Sequence, residues 1–170
     1  EQLEELSVSA TGAIEECREI SYNLRPYQIN RFGLTKTLEA IFRRISEVTP
    51  IETTIELDSV DDVFSAEAET NIYRIVQESV NNIIKHSAAT EADLFIKRRG
   101  AEIDILIQDN GRGFDKNTAN GNGGGRGGFG LIGMTERVRM LGGVYEIDSS
   151  PENGTSIKIK LAISPVNERN

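Results

Sequence analysis

The chain has 170 residues and a formal net charge of −8, which is long enough for one domain with a hydrophobic core plus an appended helix. Because binding to a phosphate backbone needs clustered Lys and Arg, the acidic balance argues against a nucleic-acid partner. The single Cys17 rules out an intrachain disulfide, and no apolar run approaches the roughly 20 residues that cross a bilayer, so we expect a cytoplasmic chain without membrane contact.

A heptad pattern opens the chain and ends before Pro26. Its apolar seam steps by three and four residues through Leu3, Leu6, Ala10, Ala13, Cys17, Ile20 and Leu24. Such a seam is typical of a helix that pairs with other helices, and the alternative is an amphipathic helix packed on its own domain. Because the sequence starts at Glu1 inside this repeat, we expect it to be a piece of something longer.

The next segments alternate between helical and strand patterns. Apolar residues at helical spacing predict a helix over Leu34–Val48, and alternation predicts a strand over residues 51–57. The acidic residues 58–62 favour a solvated loop. A long helix is predicted to follow, with Ser65 as its N-cap and His86 near its end.

This long helix is predicted to have two faces with different tasks. The apolar face consists of Ile72, Val76, Val80 and Ile83, and the polar face of Glu78, Asn82, Lys85 and His86. A carboxamide oxygen can ligate Mg²⁺, ammonium and imidazole groups can donate to phosphate oxygens, and a carboxylate can orient water. The polar face therefore suits a metal-triphosphate, and the alternative is an ordinary solvated surface.

A strand that leads directly into an acidic turn is the most informative local pattern. Alternating isoleucines predict a strand over residues 102–108, paired as a hairpin with residues 92–98, and Asp109 follows it at once. An ionised carboxylate only accepts hydrogen bonds, which suits the exocyclic amine of adenine. Gly111 and Gly113 would let a flat ligand approach the backbone, although a tight turn after a strand explains the same residues.

The second half of the chain is rich in glycine. Residues 115–127 predict a flexible lid or linker, and a helix with Leu131 on its apolar side should follow and stop at Gly142. Strands over residues 144–148 and 155–162 should form a hairpin through Asn153-Gly154.

Gly128, Gly130 and Gly133 also fit the G-x-G-x-x-G dinucleotide fingerprint, with Asp148 at a suitable distance. The context argues against that interpretation, because the fingerprint must follow a strand in a βαβ unit and here a Gly/Asn tract precedes it. No P-loop pattern is present. Glycines that open a helix still suit an anion, because free N–H groups and the helix dipole favour negative charge.

Four boxes in this order resemble the ATP-binding domain of sensor histidine kinases, within the superfamily that also contains gyrase, Hsp90 and MutL. They are Glu78-x-x-x-Asn82-x-x-Lys85-His86, Asp109-x-Gly111-x-Gly113, Gly128-x-Gly130-Leu131 and Gly154-Thr155. Leu24-Arg25-Pro26, with Phe32-Gly33-Leu34 and residues 134–143, is similar to the subgroup whose partners are response regulators with helix-turn-helix output domains. The resemblance covers nearly the whole chain.

The resemblance implies a two-layer α/β sandwich of the Bergerat type, in which helices cover one face of a mixed, mostly antiparallel sheet behind an N-terminal helix. Asp109 would hold the adenine amine, with Thr155 assisting through water, and Asn82 would ligate Mg²⁺. The implied catalytic residues are Glu78, Asn82 and Lys85. The implied nucleotide-binding residues are Asn82, Lys85, His86, Asp109, Gly111, Gly113, Phe114, Gly128, Gly130, Leu131 and Thr155.

The resemblance also implies a function and a division of the chain. Residues 1–25 would be the second helix of an incomplete dimerisation and phosphotransfer bundle, and residues 26–170 the ATP-binding catalytic domain. Such a domain donates the γ-phosphoryl of ATP to a histidine, for onward transfer to an aspartate of a response regulator receiver domain. His86 is the only histidine and lies in the nucleotide helix, so we expect the acceptor to lie outside this sequence.

Two other functions remain open at this point. A serine kinase of the anti-sigma-factor type would use the same nucleotide fold, and a nucleotide-sensing interaction module would bind ATP without phosphotransfer. The heptad helix and Leu24-Arg25-Pro26 favour the histidine kinase over the serine kinase.

Overall fold

The computed structural model describes residues 25–115 and 128–163. The predicted heptad helix and most of the predicted lid, residues 116–127, lie outside the described residues. The helices are α1 (Tyr27–Phe32), α2 (Leu34–Val48), α3 (Ala66–Asn82) and α4 (Gly128–Met140), with a π-helical turn at Ile83–Ser87. The strands are β1 (Glu52–Leu57), β2 (Glu91–Arg99), β3 (Glu102–Asp109), β4 (Val144–Ser149) and β5 (Thr155–Ala162).

The five strands form one sheet in the order β1-β2-β3-β5-β4. The β1–β2 pair is parallel and the other three pairs are antiparallel. The connection from β1 to β2 passes through α3, as a parallel pair requires a crossover. Across the middle of the sheet, the register places Asp109 opposite Ala92 on one side and Thr155 on the other.

The core lies between the helices and one face of the sheet. Period-two alternation directs every second strand residue toward the helices, so Leu94, Ile105 and Ile159 are buried while their neighbours are not. The predicted apolar stripe of α3 is buried in full: Ile72, Val76, Val80 and Ile83. Helices on one face of a mixed, mostly antiparallel sheet confirm the predicted two-layer sandwich.

Helix α3 begins as predicted but ends differently. The Ser65 hydroxyl accepts a hydrogen bond from the backbone N–H of Ala68 at 3.2 Å, which is an N-cap. The α-helix ends at Asn82, and the predicted last turn is a π-helix that carries Lys85 and His86. The spacing of apolar residues cannot predict such a turn. A single π-helical turn makes i→i+5 hydrogen bonds in place of i→i+4 bonds but is too short to change the apolar pattern of the helix.

Two local features differ from the prediction in the region before α3. The short helix α1 was not predicted, because six residues contain too few turns for a periodic signal. The acidic loop over residues 58–62 is more than a solvated loop, since Val60 is buried. The Asp61 carboxylate accepts from the Thr35 N–H at 2.9 Å, and the Asp58 carboxylate accepts from the Arg98 N–H at 2.8 Å.

Helix α4 packs beside α3 with the predicted side. Met134 and Val138 are buried, while Leu131 and Leu141 are partly buried against the same core. Gly142 follows the helix with a φ of +65°, a left-handed conformation that ends helices. In the described part of the chain, no helix is long and apolar enough to cross a membrane.

Candidate functional site

Strand β3 ends in a carboxylate that is partly buried and has a backbone donor. The Asp109 Oδ1 atom accepts a hydrogen bond from the Gly111 N–H at 2.9 Å. Burial raises the pKa of the Asp109 carboxyl above its ordinary value, and the Gly111 hydrogen bond offsets part of that rise. The Asp109 carboxylate at the strand end is therefore an acceptor whose single backbone hydrogen bond does not fully replace the water it has lost.

The turn after Asp109 needs glycine because backbone lies against backbone. A Cβ on Gly111 would overlap the Ser87 carbonyl, and one on Gly113 would overlap the Ser150 carbonyl. Gly113 also has a φ of +58°, which disfavours side chains. These glycines let the turn pack closely between the end of the π-helical turn and the β4–β5 hairpin.

Polar contacts fix this turn to the surrounding segments. The Asn110 Oδ1 atom accepts from the N–H groups of Thr90 and Glu91 at 2.9 and 3.0 Å. Arg112 donates from its backbone N–H to the Ser87 carbonyl at 2.8 Å and from Nε to the His86 carbonyl at 2.7 Å. The turn that carries Asp109 and the π-helical turn that carries His86 are thus directly connected.

Thr155 lies beside Asp109 and belongs to a small hydroxyl network. The register pairs Thr155 with Asp109 on one side and with Ser149 on the other. The Ser149 Oγ atom lies 3.2 Å from Thr155 Oγ1, accepts from the Phe114 N–H at 3.0 Å and donates to the Gly154 carbonyl at 2.9 Å. Sequence reasoning missed Ser149, although the predicted hairpin through Asn153-Gly154 places it opposite Thr155.

The polar face of α3 meets the start of α4. A Cβ on Gly130 would overlap the Glu78 Oε1 atom, so any other residue here would require the Glu78 carboxylate to move. Asn82, one turn after Glu78, is partly exposed, while Lys85 and His86 are exposed. Leu131 is partly exposed. Gly128 is the first residue of α4.

The described contacts therefore gather the predicted residues into two groups. An "Asp109 group" comprises Asp109, Gly111, Gly113, Thr155 and the Phe114 N–H, joined by Ser149 and Gly154. A "Glu78 group" comprises Glu78 and Gly130, which lie close together, and the polar residues Asn82, Lys85 and His86, which follow Glu78 along α3 and the π-helical turn. The Arg112 contact with the His86 carbonyl connects the two.

A cleft of about 310 Å³ opens at the same end of the sheet. Asp109, Ser149 and Thr155 contribute to its wall, but Asp93 and Gln108 belong to the sheet face opposite the helices. The residues that line it do not include Glu78 or the other polar residues of α3. We therefore take the helix side of Asp109, and not this cleft, as the candidate ligand site.

A bound Mg²⁺ would not need a cage of protein ligands here. Within residues 25–115 and 128–163, no cluster of three or more His, Cys, Asp or Glu side chains could hold a metal ion. Magnesium that arrives with a triphosphate keeps several waters and takes only one or two protein oxygens. The carboxamide of Asn82, partly exposed and one turn from Glu78, fits that requirement.

Comparison with known proteins identifies the family of this fold and site. Residues 67–165 match the family described as histidine kinase-, DNA gyrase B- and HSP90-like ATPase. The chain belongs to this ATPase family. The match begins in the first turn of α3 and ends after β5, so it includes both groups of candidate site residues.

Similar proteins of this ATPase family are named as histidine kinases. The chain is 37% identical over 163 residues to the sensor histidine kinase MctS of Rhizobium johnstonii. This alignment covers 93% of the chain and 34% of MctS. It is 31% identical over 163 residues to the signal transduction histidine-protein kinase/phosphatase DegS of Brevibacillus brevis. That alignment covers 96% of the chain and 41% of DegS. The chain thus spans less than half of each relative.

A solved structure supports the fold independently. The histidine kinase domain of the blue-light activated histidine kinase EL346 from Erythrobacter litoralis aligns with a TM-score of 0.64 at 19% identity. The alignment covers 76% of this chain and 61% of that domain. At this identity the similarity shows a shared fold.

Proposed function

We propose that the chain is the ATP-binding catalytic part of a two-component sensor histidine kinase. It binds ATP with Mg²⁺ and donates the γ-phosphoryl to a histidine on a helix outside this sequence. The phosphoryl group then passes to an aspartate on the receiver domain of a response regulator. The observation that carries this proposal is the match to the ATPase family over a site that has Asp109 at one end and Glu78 at the other.

In this proposal the Asp109 group binds the base. The Asp109 carboxylate accepts from the adenine amine, Thr155 assists through water, and the close backbone at Gly111 and Gly113 leaves a flat surface for the ring. The partial burial of Asp109 supports this role, because an acceptor with little water around it gains most from a matched donor. Phe114 and Leu131 border the nucleotide.

The Glu78 group handles the triphosphate. Asn82 gives its amide oxygen to Mg²⁺, while Lys85, His86 and the N–H groups at Gly128 and Gly130 face the phosphate oxygens. The exposure of Lys85 and His86 supports this assignment, since both side chains are accessible to a charged ligand. Glu78 orients a water of the metal's hydration shell or the γ-phosphate itself. Catalysis is then mostly positioning and charge stabilisation.

The histidine acceptor and the partners complete the proposal. His86 is assigned to the nucleotide and no other histidine is present, so the acceptor lies outside this sequence and this chain alone is inactive. By the resemblance to sensor histidine kinases, the acceptor belongs to a preceding helix of the same bundle as residues 1–25. Residues 26–170 form the catalytic domain, and the parent protein dimerises through the bundle. The partner is a response regulator with a helix-turn-helix output domain, and the chain works in the cytoplasm.

The named relatives favour this function over the alternatives. MctS and DegS both carry histidine kinase names and align over nearly all of this chain, including the segment before the ATPase match. A serine kinase of the anti-sigma-factor type or a nucleotide sensor without phosphotransfer has no comparable support.

Phosphotransfer to a separately produced acceptor tests the proposal. The chain is mixed with the helical hairpin of its parent that carries the acceptor histidine, and with labelled ATP and Mg²⁺. We expect acid-labile label on the hairpin, and Asn82→Ala should reduce it by at least roughly 10- to 100-fold, because even the loss of a residue that only supports a metal ligand has an effect of that size. Asn81→Ala, at the preceding position of the same helix, is the matched control and should retain the label. Acid-stable label on a serine would support the alternative kinase.

A further inference from the structure

Ser149 is a buried residue whose hydroxyl has no role in the proposed nucleotide site. It ends β4, is 5% exposed, and is paired in register with Thr155. Thr155 is in turn paired with Asp109. Three polar side chains therefore lie in a row across β4, β5 and β3, with Thr155 in the middle.

The hydrogen bonds of Ser149 determine which way the Thr155 hydroxyl points its proton. A serine hydroxyl has one proton and two lone pairs. Ser149 gives its proton to the Gly154 carbonyl at 2.9 Å and accepts from the Phe114 N–H at 3.0 Å. One lone pair is left for the contact with Thr155 Oγ1 at 3.2 Å, in which the geometry alone would allow either atom to donate. Thr155 must therefore be the donor in that contact.

A Thr155 hydroxyl that donates to Ser149 has only lone pairs left for a ligand. Beside it, the ionised Asp109 carboxylate is also an acceptor without a proton. The two residues together present an edge composed of acceptors. Such an edge fits a base with an exocyclic amine, and it repels a base that carries an oxo group at the same place.

We propose that Ser149 is a positioning residue for base specificity: it holds the Thr155 hydroxyl as an acceptor, so that Thr155 and Asp109 together select an amino group and reject an oxo group. This inference rests on the proposed function, in which Asp109 accepts from the adenine amine and Thr155 assists through water. A water that donates one proton to Thr155 and the other to Asp109 has only lone pairs left for the base. Ser149 acts through Thr155 and does not itself touch the nucleotide.

The test compares ATP with inosine triphosphate, which carries an oxo group in place of the adenine amine. Dissociation constants of both are measured by calorimetry with Mg²⁺ for the wild type and for Ser149→Ala. Without Ser149, the Thr155 hydroxyl is free to rotate and donate to the bridging water, which can then donate to the oxo group. We expect the preference for ATP to fall roughly tenfold, the value of one neutral hydrogen bond. Ser156→Ala, one position further along β5 and on the opposite face, is the control and should retain the preference.

A double-mutant cycle separates this role from general support of the hairpin. If Ser149 acts through Thr155, Ser149→Ala should change the preference in the wild type but not in a Thr155→Val background. A structural role would lower the binding of both nucleotides in either background. Thr155→Val alone should also narrow the preference, which keeps the inference testable if Ser149→Ala does not fold.

The outcomes also distinguish the two proposals. A wild type that binds neither nucleotide contradicts the proposed function and this inference with it. A wild type that prefers ATP, with an unchanged preference in Ser149→Ala or in Thr155→Val, contradicts the inference alone.

Discussion

At the scale of single residues, Asp109 combines a cost in folding with a use in binding. Burial raises the pKa of its carboxyl, so the folded chain holds this proton to a higher pH than the unfolded chain does. Folding stability contributed by this group therefore falls as the pH rises through the raised pKa. The ionised form is nevertheless the one that accepts from an adenine amine.

Replacing Asp109 with Asn should separate these two effects. Near neutral pH, Asp109→Asn removes the buried charge, so we expect the unliganded chain to unfold at a higher urea concentration. ATP affinity should fall by roughly 1 to 2 kcal/mol, because a charge-assisted hydrogen bond becomes a neutral one. For the wild type, ATP affinity should decrease as the pH falls through the raised pKa of Asp109.

Asp93→Asn is the matched control for this experiment. Asp93 is on the other face of the sheet, where its carboxylate accepts from Gln108 Nε2 at 2.8 Å. Its replacement should leave ATP affinity and the pH dependence of binding as in the wild type. Equal ATP affinities of wild type and Asp109→Asn would remove Asp109 from the base site.

Tyr145 provides a second prediction at this scale. Its hydroxyl is buried and has no hydrogen-bond partner among the described residues, and burial raises its pKa to about 12. Tyr145→Phe removes a hydroxyl that is hydrated only in the unfolded chain, so the free energy of unfolding should stay equal or rise by up to about 1 kcal/mol. Urea unfolding measures this, and a loss of more than about 1 kcal/mol would reveal a partner for the hydroxyl.

The sequence predicted Asp109, Gly111 and Gly113 because their pattern is local: a strand period followed at once by a turn. Ser149 could not be predicted in the same way. Its importance depends on the Phe114 N–H, 35 positions away in sequence, and on the register of the β4–β5 hairpin. Spacing along the chain contains no direct signal of such a contact.

At the scale of elements, two of the three glycines of α4, Gly130 and Gly133, have different environments. Gly130 faces the Glu78 carboxylate. In the described chain, a Cβ on Gly133 would have no atom within 4 Å other than those of its chain neighbours and its own helix backbone. The third glycine of the apparent dinucleotide fingerprint thus makes no close packing contact, which agrees with rejecting that interpretation. The two positions form a natural pair for substitution.

Alanine should be favourable for stability at Gly133 and harmful to phosphotransfer at Gly130. Gly133→Ala should stabilise the chain by about 1 kcal/mol, because alanine is the better helix former and has room. Gly130→Ala should displace the Glu78 carboxylate and reduce phosphotransfer roughly 10- to 100-fold, the effect of a misplaced group in a site of this kind. Thermal unfolding and the acceptor-hairpin assay measure the two effects, and unchanged phosphotransfer in Gly130→Ala would contradict the role of this contact.

Most elements could be predicted because their periodicity is strong and their ends carry clear signals. The Ser65 cap, the Gly142 stop and the Asn153-Gly154 turn all lie where the sequence predicts them. The π-helical turn at Ile83–Ser87 could not be predicted. It depends on tertiary contacts, including the Arg112 bonds to the carbonyls of His86 and Ser87.

At the scale of the whole molecule, α3 connects the candidate site with the start of the described chain. Its partly exposed Glu78 and Asn82 belong to the candidate site. Its first turns accept hydrogen bonds from an arginine before α1 and from an arginine of α4. Arg25 donates to Glu69 at 2.5 Å, and Arg137 of α4 donates to Asn71 at 2.8 Å. One helix thus contacts Arg25 and α4 and contributes residues to the candidate site.

The order of the motifs along the chain predicted this architecture, but the spatial relation of the two site groups could not be read from it. That relation depends on the β3–β5 pairing, which joins residues 109 and 155, and on the approach of α4 to α3 at Gly130 and Glu78. Both are long-range contacts, and motif order specifies neither distance nor face.

In the proposed function this chain binds ATP through an adenine acceptor at Asp109 and a Mg²⁺ ligand at Asn82. Isothermal titration of the chain with ATP and with GTP, each with and without Mg²⁺, tests it most directly. We predict saturable binding of ATP that Mg²⁺ strengthens, and much weaker binding of GTP, because two acceptors face its oxo group. Equal affinity for ATP and GTP, or no binding of ATP, would contradict the account.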